Sequence, residues 1–88
     1  MADPALTRSL CAFISDDLLG GMAIAPEDEL LLSDLLDSLS VVRLVAHLEE
    51  SFGITIPPED VVLDTMQSAD AIATYLEEKH AVKGVLAA

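Results

Sequence analysis

Residues 37–57 read Asp-Ser-Leu-Ser-Val-Val-Arg-Leu-Val-Ala-His-Leu-Glu-Glu-Ser-Phe-Gly-Ile-Thr-Ile-Pro. Val41, Leu44, Val45, Leu48 and Phe52 fall at i, i+3, i+4, i+7 and i+11, the spacing of a helix that buries one stripe. Asp37 is a natural N-cap, its carboxylate placed to accept from the amides of residue 39 or 40. Gly53 is a natural stop. Ile54-Thr55-Ile56 alternates like a strand, but Pro57-Pro58 follows at once. It reads as an extended connector whose isoleucines plug a core. The segment is therefore a helix from Asp37 or Ser38 to Phe52 with five buried side chains.

Working toward the N-terminus, residues 21–37 have no clean period. Pro26 and Glu27-Asp28-Glu29 interrupt, then Leu30, Leu31, Leu32, Leu35 and Leu36 crowd together. A long loop this rich in leucine is expected to pack across the domain, with room for one helical turn. Before it, Asp3-Pro4 opens a helix, and Leu6, Leu10, Phe13, Ile14 and Leu18 give it an apolar stripe. Gly20-Gly21 ends it, so the first helix is expected over about 4–19. Toward the C-terminus, a short helix is expected near Glu59–Leu63. Ser68 then caps a last helix with Ala69, Ile72, Ala73 and Leu76 on its buried side and Tyr75 close by. Lys79, His80 and Lys83 lie near its end, where positive charge complements the helix dipole. The fold class is all-α: three principal helices and one short one around a single core. Residues 1–83 are expected to form one domain and 84–88 a frayed tail.

Composition agrees. Half the residues (52%) are apolar, with no Trp, one Tyr and two Phe, an aliphatic mix that suits packed helices and is too apolar for disorder. Sixteen acids against four bases give a net charge of −12. Residues 1–44 and 45–88 each hold eight acids and two bases, so the charge belongs to the whole chain. Nucleic acid and anionic membrane are repelled, while a basic protein surface is attracted. No apolar run is long enough to span a bilayer, and no basic segment precedes an apolar one, so a cytoplasmic location is expected; a monomer is expected as well.

Conventional catalytic sets are absent. Cys11 stands alone, without a disulfide partner, and reads as a buried core thiol. His47 and His80 lie on different helices without metal-pair spacing and read as surface histidines. No Gly-rich phosphate loop exists, and no metal site is expected. A small hydrolase built on Ser38 lacks a candidate base and oxyanion site. What remains is the junction Leu35-Leu36-Asp37-Ser38-Leu39 between the long loop and the second helix. Ser38 would present its hydroxyl at the helix mouth, where a phosphate attached to it meets the positive end of the dipole.

Three features at fixed distances together resemble the acyl and peptidyl carrier protein family. They are Leu36-Asp37-Ser38-Leu39, the helix Val41–Glu50 followed by Phe52-Gly53-Ile54-Thr55-Ile56-Pro57, and the Ser68-capped helix ending Tyr75-Leu76. The likeness runs from about Leu30 to Leu76. It implies that Ser38 receives 4′-phosphopantetheine from coenzyme A, and that Asp37 helps engage the phosphopantetheinyl transferase and its magnesium. Leu39, Val42 and Ala46 match outward positions that partner enzymes touch, and Arg43 lies beside them. On that reading the chain is not an enzyme. It tethers acyl groups as thioesters and presents them to acyltransferase, ketosynthase, adenylating or tailoring enzymes.

Two departures bear on the pathway. Ser40 and Arg43 stand where carriers of fatty-acid synthesis usually have acids, and Asp34 replaces a glycine common just before the leucine pair. These suggest a free-standing carrier of a specialised polyketide or mixed peptide–polyketide pathway. Alternatives are an aminoacyl or peptidyl carrier loaded by an adenylating enzyme, and a fatty-acid carrier. Outside the carriers stands an acidic helical adaptor that keeps the fold but never receives the arm.

Overall fold

The computed structural model describes residues 3–33 and 35–82. The tail expected at 84–88, the contribution of Lys83 and the position of Asp34 lie outside the described residues. Among the described residues there are helices and turns and no strand, which agrees with the all-α expectation. None of the helices among the described residues is long and apolar enough to cross a membrane.

Helix α1 spans Pro4–Phe13, with Pro4 in its first turn and the Asp3 carboxylate accepting from the Ala5 amide at 2.9 Å. Instead of continuing regularly to residue 19, the chain widens into a π-helical turn over Ile14–Leu18. The Leu19 amide there reaches the Ile14 carbonyl five residues back, at 3.0 Å. The wider turn lets Ile14 stay fully buried while Phe13, Leu18 and Leu19 all pack partly against the core. Gly20 and Gly21 follow with φ of 64° and 96°, a reversal that side chains with a Cβ resist.

Helix α2 spans Ser38–Phe52, between the Asp37 N-cap and Gly53 at φ 63°. Leu44 and Leu48 are fully buried. Val41, Val45 and Phe52, expected in the core, are only half-buried. The valines sit on the edge of α2 that faces a hollow rather than another helix. The connector behaves as expected: Ile56 is buried, and its amide donates to the Glu49 carboxylate at 2.7 Å.

The short helix is displaced from Glu59–Leu63. Pro58–Asp60 forms a 3₁₀ turn, Val61 and Val62 break the helical path, and helix α3 runs Leu63–Met66. Pro58 favours a turn start, and Val62 is fully extended at φ −131°, ψ 170°, where β-branched side chains are comfortable. Helix α4 spans Ala69–His80, capped by Ser68, whose hydroxyl accepts from the Ala71 amide at 3.1 Å. It packs against α1 and α3.

The leucine-rich loop is stitched across the molecule as expected. The Leu30 amide donates to the Gln67 carbonyl at 2.8 Å, and the Asp70 amide to the Pro26 carbonyl at 2.9 Å. Leu30 and Leu36 are buried, while Leu31 and Leu35 pack partly. Leu32 points outward, 73% exposed. A turn, not a helix, occupies residues 31–33.

Candidate functional site

Asp37 and Ser38 stand where the loop ends and α2 begins. The Asp37 backbone is extended (φ −93°, ψ −178°), which aims its carboxylate at the first turn, and Oδ1 accepts the Ser40 amide at 2.8 Å. That hydrogen bond is the main reason its carboxyl titrates below the usual range. Ser38 follows as the first helical residue and is exposed. The arrangement presents a primary hydroxyl beside a fixed negative charge, at the positive end of a fifteen-residue helix.

An open hollow of about 560 Å³ begins at this serine, lined by Leu31, Leu36, Asp37, Ser38, Val41, Val42 and Val61. A second, of about 390 Å³, continues along α2 between Val45, Ala46, Glu49 and the Ile56–Pro58 connector. The two share Val41, Val42 and Val61. An apolar trough therefore runs from Ser38 between α2 and residues 56–61, with Asp37 and Glu49 the acids on its rim. Sequence reasoning placed Val41 and Val45 in the core and missed this trough. Their helical spacing reads the same whether a partner helix or an open groove lies opposite.

The outward face of α2 carries Leu39 at 69% exposure, Val42 at 63%, and exposed Ala46 and Arg43. Up to Glu49, Arg43 is the one formally charged side chain on α2. Across the trough, Val62 and Leu63 are exposed as well.

Both histidines depart from the surface positions expected of them. His47 is half-buried and stacked on Phe13. His80 is half-buried, its Nε2 2.8 Å from the Tyr75 hydroxyl. Cys11 is half-buried rather than enclosed; burial, helped by Asp28 and Glu27, pushes its thiol up, away from thiolate reactivity. Among the described residues no group of three His, Cys, Asp or Glu side chains could hold a metal ion.

Residues 10–76 match the family model described as a phosphopantetheine attachment site. The chain is 36% identical over 69 residues to an acyl carrier protein of Campylobacter hominis, covering 73% of this chain and 85% of that protein. It is also 42% identical over 43 residues to an acyl carrier protein of Bdellovibrio bacteriovorus. In that pairing it spans about half the relative's length, 53%, and 49% of its own.

Proposed function

Since this chain belongs to the phosphopantetheine attachment-site family and is a carrier rather than an enzyme, we propose that Ser38 bears the covalent 4′-phosphopantetheine. The observation that carries this is the exposed Ser38 hydroxyl at the capped start of α2, opening onto an apolar trough. A phosphodiester formed there would have its negative charge at the positive helix end. The bound arm supplies a terminal thiol on which cargo is held as a thioester, activated for transfer. Tethering raises the cargo's effective concentration at any docked enzyme. The chain's own contribution is to present the serine, hold Asp37 ionised beside it and offer a face for docking.

Within that reading, the cargo is an acyl group rather than an amino acid, because the trough beside Ser38 is lined mainly by Leu, Val and Ile side chains. A charged amino group would lose hydration against those aliphatic walls, with only the rim carboxylates of Asp37 and Glu49 to pair it. Leu39, Val42, Arg43 and Ala46 form the docking face. Arg43 favours enzymes of a specialised polyketide or hybrid pathway over those of fatty-acid synthesis.

The test is incubation with coenzyme A, magnesium and a broad-specificity phosphopantetheinyl transferase. One arm is expected on the wild-type protein and none on Ser38→Ala. An unmodified wild type, or a gain of mass by Ser38→Ala, overturns the assignment.

A further inference from the structure

Of the two walls of the trough, one is rigid by construction. Helix α2 is anchored by Leu44 and Leu48, both fully buried, and is capped at both ends. The opposite wall, residues 57–62, is a 3₁₀ turn and two valines, with Val62 almost half exposed. Between the buried Ile56 and Met66 it touches the core through Val61, which packs only partly against it. Between those points the Thr65 hydroxyl lies against the Asp60 and Val62 carbonyls, which ties the turn to the four-residue helix α3.

Among the described residues, a side-chain hydrogen bond runs from this wall to a principal helix. The Tyr75 hydroxyl on α4 lies 2.6 Å from Asp60 Oδ2 and 2.8 Å from His80 Nε2. The phenol has one proton, and a carboxylate oxygen only accepts. Tyr75 therefore donates to Asp60, and its oxygen accepts from an Nε2–H of His80, which fixes where that imidazole carries a proton. Burial and the neighbouring Asp60 push the phenol up, so it stays a donor. The His80 ring meets the Tyr75 ring edge-on, centroids 5.1 Å apart, which holds the donor in place. Tyr75 itself is 6% exposed and seated in the core.

We propose that Asp60, Tyr75 and His80 form a latch locking the non-helical wall of the trough to α4. The trough beside Ser38 then widens by release of residues 57–62, not by displacement of α2. The link to function is through Val61, the residue after Asp60, which lines both hollows. Its meaning for cargo rests on the carrier reading, but the latch itself is a property of the unmodified protein.

Amide hydrogen exchange on the unmodified protein tests it. The Asp60 and Val61 amides donate to Pro57 and Pro58 carbonyls within the wall and report its opening. Tyr75→Phe keeps the ring and removes both hydrogen bonds. It should speed exchange at Asp60 and Val61 about tenfold, the scale of a lost bond to a charged group, with Leu44 and Leu48 unchanged. Asp60→Ala, which leaves the core tyrosine intact, should give the same local pattern should Tyr75→Phe fold poorly. His80→Gln keeps an N–H donor and should exchange like wild type. Unchanged wall amides in both variants, or equal acceleration along α2, overturn the latch. Failure to load Ser38 would instead strike the carrier reading and leave these exchange rates untouched.

Discussion

The imidazole of His47 lies flat on the ring of Phe13, their centroids 4.0 Å apart and their planes 8° from parallel. This stack joins the end of α1 to the middle of α2, on the side of α2 away from the trough. It leaves His47 Nε2 buried without a hydrogen-bond partner. A buried polar atom left unpaired costs about 1–3 kcal/mol, while an aromatic pair contributes about 0.5–1.5. His47→Phe should therefore keep the stack, remove the unpaired nitrogen and raise stability by about 1 kcal/mol. His47→Ala, which loses the stack, should lower it. Chemical denaturation of the three proteins decides, and a clear loss of stability in His47→Phe would mean that the nitrogen has a partner in solution.

The core prediction separates the two kinds of apolar position on α2. Leu44 is fully buried, so Leu44→Ala should cost roughly 2–5 kcal/mol. Val45 is half-buried at the trough, where solvent can fill the space its methyls leave. Val45→Ala should cost about 1 kcal/mol or less. Equal losses at the two sites would mean that the trough is closed in solution.

Asp37 combines two roles that substitution can separate. Asp37→Asn keeps an oxygen to cap the Ser40 amide but removes the charge, so the helix start should persist while transfer of the arm slows. Asp37→Ala should lose both. The pH dependence has a definite sign. The folded carboxyl titrates below its ordinary value, so its stabilisation is present above about pH 4 and is lost as pH falls through the depressed folded value. Thermal melts should show the stability gap between wild type and Asp37→Asn narrowing below about pH 4. A gap that widens in acid would contradict the cap geometry.

Much of this molecule was legible because short-range rules govern it. The α2 limits followed from Asp37 and Gly53, and the α4 start from Ser68, since caps act over three residues. The long loop was legible only as a packed one. Which leucines turn inward depends on distant anchors such as the Gln67 carbonyl, so Leu30 and Leu32 look alike in sequence and differ completely in burial. The π-helical turn at 14–18 answers packing against α2, which no local period encodes. At the site, Asp37 and Ser38 were visible as a pair, but the trough beside them was not. Val41 and Val45 keep core spacing, and the residue that faces them, Val61, is supplied from across a proline turn. Asp60 and Tyr75 are fifteen residues apart with no shared motif, so only the fold joins them.

Partner choice supplies the last prediction. A domain of net charge −12 approaching a basic docking site gains association rate that salt screens away. Arg43 runs against that field: it is exposed on the α2 face with Leu39, Val42 and Ala46, and no acid precedes Glu49 on that helix. An enzyme shaped to meet acidic carriers would place Lys or Arg opposite this position, and like charges at a docking face are penalised. Arg43 should thus reject fatty-acid enzymes and favour a dedicated acyltransferase or synthase. The measurement loads holo wild type and holo Arg43→Glu with the same acyl group and compares their kinetics with fatty-acid synthase enzymes. The variant should be the better substrate, mainly at low salt, because the effect is electrostatic and acts at a solvent-exposed face. Raising the ionic strength to about 1 M, where screening reaches only about 3 Å, should bring the two proteins together. Equal kinetics at low salt would make Arg43 a bystander and remove the main sequence argument against a fatty-acid role.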